Sequence, residues 1–504
     1  PVPVENRLMT KTSESNETAA SSATDIGSMA SGWLQKTAAW LRSVGIPAEL
    51  GTDAPEGERN TTERLKATLR RGAEALSPRE LRRVLADLQG AAASEVSDVE
   101  GGRLAEQVMQ WYASAAPAER QDLWRLLCEQ FVPDVAKIQQ ARQRYEDALG
   151  TSGMGAAEKH LRRALQTPRM RLLQRFAVPP QGMRFLLDLR ADLLPLLKAE
   201  EWLGTLDADL EYLFSTWFDV AFLEMRSLNW DSPASLLEKL IKYEAVHDIR
   251  SWADLKNRLD SDRRCYGFFH PRLPGEPLIF VEVALVGKMS DSITPLLDES
   301  AAAADLAKAG TAIFYSISNT QSGLRGVSFG DSLIKNVVEQ LLQEFPKLRT
   351  FATLSPIPGF RHWLSKHADA VWEGADKRLR ADLAKALGNE AMDSAQWLAV
   401  YDKPTELAAD SVQAKLLTHA AAVYLGKTMV QGRPVDPVAR FHLGNGARVE
   451  RLNWAGDPST KGVKQSYGLM VNYLYDLKRL DKHRGLLAQG KVPVSSAIES
   501  QAKA

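Results

Sequence analysis

The stretch from Thr311 to Phe360 constrains the fold more than any other part of the chain. Ala312 to Ser318 is a run of β-branched and aromatic residues, the composition of a strand. Gly323, Gly326 and Gly330 follow in quick succession, and an amphipathic helix is predicted from about Asp331 to Phe345. A second strand-like run, Leu348 to Leu354, closes on Ser355-Pro356-Ile357-Pro358-Gly359. A strand, a glycine-rich turn and a helix in that order present bare backbone N–H groups to an anion. The first amides of a helix have no partner inside it, and the helix dipole adds positive potential at the same end. Glycine lets such a ligand approach the main chain because no Cβ stands in the way.

Composition narrows the classes of function. The 504 residues carry 63 basic and 63 acidic side chains, a formal net charge of zero. That balance argues against nucleic acid or an anionic membrane as the main partner. Cys128 and Cys265 are the only cysteines, too few for a disulfide framework and without metal-ligand spacing, so a reducing compartment is expected. Asp188, Arg190, Asp192 and Pro195 interrupt the most apolar segment, Leu186 to Leu197, and no run approaches the roughly 20 residues of a membrane-spanning helix. Residues 1–32 are expected to be a disordered tail, rich in Ser, Thr, Glu and Ala without a targeting pattern, and the cytoplasm is the expected location.

Along the chain, residues 33–206 read as a helical bundle, dominated by Ala, Leu, Arg and Glu and broken by prolines and glycines. Ser77-Pro78-Arg79-Glu80 is a helix start, and Ala118 to Phe131 and Ala141 to Leu149 are further predicted helices. A long helix is predicted from Asp209 to Leu228 on a stripe of Leu210, Phe214, Trp217, Ala221, Met225 and Leu228. Then β-type segments alternate with helices: Pro277 to Val286, Ala312 to Ser318, Leu348 to Leu354, Arg440 to Leu443, Ala447 to Trp454 and Gly468 to Tyr475. Gly444-Asn445-Gly446 reads as a hairpin turn. The expected architecture is α+β and multidomain: an all-α bundle, then an α/β domain with a mixed sheet over residues 207–490, then a C-terminal tail at 491–504.

The glycine loop lacks the Gly-Lys-Ser/Thr ending of a triphosphate loop and the Gly-x-Gly-x-x-Gly of a dinucleotide fold. Arg325-Gly326-Val327-Ser328-Phe329-Gly330 resembles the loop with which GNAT-type acyltransferases hold the pyrophosphate of coenzyme A. By itself such a loop also fits an ordinary turn. Longer motifs accompany it: Ser316-Ile317-Ser318-Asn319-Thr320-Gln321, Leu354-Ser355-Pro356-Ile357-Pro358-Gly359-Phe360, Phe441-His442-Leu443-Gly444-Asn445-Gly446-Ala447, Asn453-Trp454 and Gly468-Leu469-Met470-Val471-Asn472-Tyr473. In order and spacing they resemble malonyl-CoA decarboxylase, over most of residues 207–476.

The resemblance implies a GNAT-like catalytic domain and an oligomerising helical domain, with a homotetramer as the expected assembly. Malonyl-CoA and acetyl-CoA are the implied substrate and product, with no biotin, metal or flavin. It implies Ser355 as the catalytic serine contacting the malonyl group and His442 as proton donor. Arg325, Gly326, Val327, Ser328, Phe329, Gly330 and Asp331 are then the coenzyme A loop, and Ser316 and Tyr475 match polar positions lining the pocket. Known members carry Glu where this chain has Ser328, so no acidic role is carried to that position. The residues themselves leave alternatives open. Alternation would put His442 opposite the apolar Phe441 and Leu443, which also suits a surface strand histidine. Ser355 also suits a strand-end turn, although no Gly-x-Ser-x-Gly elbow marks it as a hydrolase nucleophile. An acyl-CoA transferase and a non-enzymatic acyl-CoA sensor are the competing functions.

Overall fold

The computed structural model describes residues 75–329, 332–388, 397–398 and 400–503. The tail expected at 1–32, the helical start at Trp33, and the loop residues Gly330 and Asp331 lie outside the described residues.

The first described helix, Pro78–Ala92, begins with a reciprocal cap: Ser77 Oγ accepts the Glu80 N–H, and the Glu80 carboxylate accepts the Ser77 N–H. Leu81, Val84, Leu85 and Leu88 form its buried face, packed against the helices Asp98–Ser114 and Pro168–Phe176. The helix predicted at Ala118 to Phe131 runs Pro117–Gln130. The one predicted at Ala141 to Leu149 runs Val135–Asp147, because Asp134 caps it by accepting the Ala136 and Lys137 N–H groups.

The helix predicted from Asp209 to Leu228 ends early. It spans Gly204–Trp217; Asp219 then caps a single 3-10 turn, Val220–Phe222, and Glu224–Leu228 becomes strand β1. Leu210 and Phe214 are buried on the helix, whereas Leu228 enters a separate core with Leu237, Leu240 and Cys265. Strand wins over helix there because β1 completes a sheet edge, registered from Glu224↔Phe269 to Leu228↔Cys265 with β2, Arg263–Phe269. No sequence expectation covered β2, where two arginines and Gly267 obscure the strand pattern.

Met429–Val430 and Arg433–Pro434 pair as a separate ribbon, and the other strands of this sheet are β3 Pro277–Val286, β4 Thr311–Asn319, β5 Thr350–Thr353, β6 Ser355–Pro356, β7 Arg448–Asn453 and β8 Met470–Leu474. Among the described residues they form one 8-stranded sheet in the order β1-β2-β3-β4-β5-β8-β6, with β7 paired to β8. β1 to β4 are antiparallel, while β4 and β5 run parallel, joined by the glycine loop and the helix Leu333–Glu344. The chain is therefore a helical region followed by a mixed-sheet α/β domain.

One irregularity makes room for a ligand. β4 pairs with β5 only from Thr311 to Phe314, then continues along β3 to Asn319. The neighbouring strand turns away instead, and Ser355 and Pro356 pair with Val471 and Met470 of β8. The sheet splits between β4 and β6, where Pro356 has no N–H with which to close the gap. At the C-terminus, Val494 bridges to Val449, and the helix Ser496–Gln501 buries Ile498 against β7 and the helix Val412–Lys427. The stretch expected as a tail is thus docked on the domain.

Candidate active site

The sequence places His442 on a strand ahead of a hairpin; the structure corrects this and puts it on a helix, Pro437–Gly444. The cause is local. Asp436 accepts the Val438 and Ala439 N–H groups, both at 2.9 Å, and Pro437 occupies the first turn, where its missing N–H costs nothing. Gly446, at φ 85°, then redirects the chain into β7, which pairs with β8 rather than with residues 440–443. Asp436 is buried, accepts the Tyr424 hydroxyl at 3.3 Å, and with that hydroxyl packs against Gly359, where a Cβ would stand 2.6 Å from the Tyr424 oxygen and 3.9 Å from Asp436 Oδ2. One carboxylate therefore ties the start of the His442 helix to the end of the Ser355-to-Gly359 turn. Burial pushes its carboxyl up, against the lowering effect of these hydrogen bonds.

Held in this way, Ser355 Oγ lies 3.3 Å from His442 Nε2 and 2.9 Å from Thr353 Oγ1. The other imidazole nitrogen, Nδ1, is 2.7 Å from the Tyr475 hydroxyl. The Tyr473 ring stacks on the imidazole, centroids 4.7 Å apart and planes 27° from parallel. Thr353 Oγ1 also accepts the Tyr473 N–H at 3.1 Å. Among the described residues the Tyr475 hydroxyl makes no other hydrogen bond, so the arrangement that uses its proton has Tyr475 donating to Nδ1. His442 Nε2–H then donates toward Ser355 Oγ, and Ser355 donates to Thr353. Burial pushes the His442 pKa down to about 3, so the ring is neutral. Thr353 and Tyr473 are not among the site residues expected from the sequence, yet both contact the Ser355–His442 pair.

Ser355 and His442 face a cavity of about 280 Å³ opened by the split in the sheet. Its walls are largely apolar, with Ile279, Phe314 and Ile317 on one side and Val438 and Phe441 on another. Val327, Phe329 and Leu333 also line it, so the glycine loop and the Ser–His pair open onto one space. Within the loop, Arg325, Gly326 and Ser328 are exposed, while Val327 and Phe329 are turned inward. Gly326 sits at φ 82°, a conformation that side chains with a Cβ rarely adopt.

Ser316 lies elsewhere. The pairing of β3 with β4 shifts between Val283↔Phe314 and Glu282↔Ser316, leaving Tyr315 as an extra residue. This bulge inverts the alternation, so Phe314, Ile317 and Asn319 line the cavity while Ser316 and Ser318 turn to the other face. There Ser316 Oγ donates to the Glu244 carboxylate at 2.7 and 2.8 Å, and Ser318 Oγ donates to it at 3.1 Å. Glu244 also accepts the Val246 and His247 N–H groups, so it holds the segment that places Val246 in the cavity wall.

These features define a class: an enzyme with a helical N-terminal region and a mixed-sheet α/β domain whose split sheet houses a buried Ser–His pair. Comparison gives the family. The profile of the malonyl-CoA decarboxylase C-terminal domain matches residues 221–504, and that of the N-terminal domain of the same family matches 131–218. The chain is 36% identical over 409 residues to the mitochondrial malonyl-CoA decarboxylase of the goose Anser anser anser, covering 75% of this chain and 78% of that protein. It is 37% identical over 399 residues to the mitochondrial enzyme of Rattus norvegicus, covering 75% and 80%. The crystal structure of malonyl-CoA decarboxylase from Cupriavidus metallidurans superposes with a TM-score of 0.69 at 43% identity, covering 84% of this chain and 100% of that one. The chain belongs to the malonyl-CoA decarboxylase family of carboxy-lyases.

Proposed function

We propose that the protein converts malonyl-CoA to acetyl-CoA and carbon dioxide, with Ser355 orienting the malonyl group and His442 protonating the enolate carbon. The observation that carries this reading is the 3.3 Å approach of Ser355 Oγ to His442 Nε2 in an apolar cavity that also reaches the glycine loop. Coenzyme A then lies with its pyrophosphate on the loop at Arg325 to Asp331 and its thioester in the split between β4 and β6. The free edge of β4 beyond Phe314 offers backbone groups to the amides of the pantetheine arm.

Charge governs the chemistry. A neutral imidazole is a poor acid, and burial by itself holds His442 in the neutral form. The malonyl carboxylate changes this balance. A negative charge about 4 Å away, at an effective dielectric near 20, favours the imidazolium by about 4 kcal/mol, or about 3 pKa units. From a starting value of about 3, that brings His442 into the range where it can carry a proton near neutrality. The substrate thus recruits its own acid. With the carboxylate held by Ser355 across the thioester plane, the bond to the α-carbon breaks and carbon dioxide leaves. The electron pair becomes the thioester enolate, and His442 Nε2–H protonates the α-carbon, returning the imidazole to its neutral form. No acyl-enzyme is required, and neither biotin nor a metal enters the scheme.

The proposal gives residues 33–206 to association, as a homotetramer, and residues 207–490 to catalysis. Malonyl-CoA and acetyl-CoA are the partners, with no nucleic acid and no membrane. The cytoplasm is the proposed location, while the goose and rat relatives are named mitochondrial. Among the described residues no helix is long and apolar enough to cross a membrane. The test is carbon dioxide release from malonyl-CoA by the purified protein without any acyl acceptor. Release with stoichiometric acetyl-CoA supports the reading; turnover only when an amine or hydroxyl acceptor is added would assign acyl transfer instead.

A further inference from the structure

The helical region reaches into the glycine loop through one buried cation. Arg190, on the helix Gly182–Leu193, is 2% exposed. Its Nη1 donates to the carbonyls of Gly323 at 2.7 Å and Arg325 at 3.0 Å, and its Nε donates to Asp207 at 2.8 Å. The same helix presses on the loop nearby: a Cβ at Gly323 would stand 2.1 Å from the Leu187 carbonyl oxygen, and Arg184 donates to Gln321 at 2.6 Å. The far end of the loop is pinned where Val220 N–H donates to Phe329 O at 2.9 Å.

The consequence follows from peptide geometry. In a planar trans peptide the carbonyl of one residue and the N–H of the next point to opposite sides. Drawing the Arg325 carbonyl inward to Arg190 therefore turns the Gly326 N–H outward. Gly326 is exposed, and its N–H has no hydrogen-bond partner among the described residues. A Cβ built there meets nothing within 4 Å. We propose that Arg190 is a positioning residue for coenzyme binding, aiming the Gly326 N–H at the phosphates from behind the loop, with Asp207 fixing the guanidinium. This rests on the reading of the loop as the coenzyme A site, and it gives the helical region a part in substrate affinity.

The test uses the full chain with Arg190→Met and Arg190→Lys, the second retaining the charge toward Asp207 if the first does not fold. Steady-state constants are measured for malonyl-CoA and for the malonyl thioester of N-acetylcysteamine, which lacks the phosphates. KM for malonyl-CoA is expected to rise about tenfold or more, with kcat changed by less than about threefold. The truncated thioester should be turned over at the wild-type rate within about twofold, because it lacks the phosphates at which the Gly326 N–H is aimed. A parallel loss on both substrates, or an unchanged KM for malonyl-CoA, would overturn the assignment. Gly326→Val in the same assay separates the two readings. If it weakens malonyl-CoA alone while the Arg190 variants do not, Arg190 has no positioning role and the loop reading stands. If neither site affects malonyl-CoA, the loop reading itself fails.

Discussion

Ser355 and His442 are 87 positions apart in the chain, yet Oγ and Nε2 stand 3.3 Å apart because Asp436 holds both of their local structures. Its carboxylate caps the helix that carries His442 and, with the Tyr424 hydroxyl it accepts, packs against Gly359 at the end of the turn that begins with Ser355. Pro356 and Pro358 stiffen that turn, and Tyr473 and Tyr475 fix the plane and rotation of the imidazole. The pair is therefore assembled before substrate arrives, and little conformational entropy remains to be lost at the barrier.

His442→Asn is expected to lower turnover by about 10²–10⁴, the usual contribution of a positioned general acid, while leaving coenzyme A affinity near wild type. The imidazole acts on the acyl end and not on the nucleotide. Carbon dioxide release together with calorimetric binding of coenzyme A checks both halves, and near-normal release would remove His442 from the mechanism.

Asp436→Ala should cost about 1–2 kcal/mol of stability through loss of the helix cap. It should also reduce kcat, because the helix is released from the Ser355 turn. Asp436→Asn, which can still cap, should keep most of the stability. Thermal midpoints and kcat for the two variants are the measurements; an Asp436→Ala protein with wild-type kcat would show that the Ser–His geometry does not depend on this link.

Much of this was legible in the sequence, and the failures have physical causes. β3 and β4, the glycine loop and the following helix lie where β-branched runs and glycines place them. His442 was assigned to a strand because Phe-His-Leu alternates, but Asp436-Pro437 is a helix start that outranks four residues of alternation. Ser316 was placed in the pocket, and a single extra residue, Tyr315, reverses the face it occupies; no periodicity marks a bulge of that kind in advance. The stripe from Leu210 to Leu228 fits a helix by spacing, but sheet closure decided its last third. Arg190 carried no motif at all, since the loop carbonyls it holds lie more than a hundred positions away.

Acid should destabilise the protein partly through His442. Its folded pKa, about 3, lies below the unfolded value of about 6.5, so under pH 6.5 the unfolded chain takes up a proton that the folded site refuses. Stability from this group is full above that pH and is lost as pH falls toward 3, with about 2 kcal/mol gone by pH 5. His247, held down to about 4 by burial, adds its own share in wild type and variant alike. The decline in thermal stability between pH 7.5 and pH 5 should therefore be smaller in His442→Asn, and identical declines would argue against a buried neutral imidazole.

The helical region should mediate assembly. Among the described residues it supplies no group to the Ser–His cavity, and its part at the site is to brace the glycine loop. Light scattering at micromolar concentration is expected to give a tetramer, and a monomer would end the assignment of residues 33–206 to association.

The central claim is that Ser355 positions the malonyl group and does not attack it. Intact-protein mass spectrometry of the wild type, rapidly quenched during turnover of malonyl-CoA, tests this directly. The account predicts the unmodified mass at every time point while carbon dioxide is being released. A malonyl or acetyl adduct that forms and decays at the turnover rate and maps to Ser355 would contradict it.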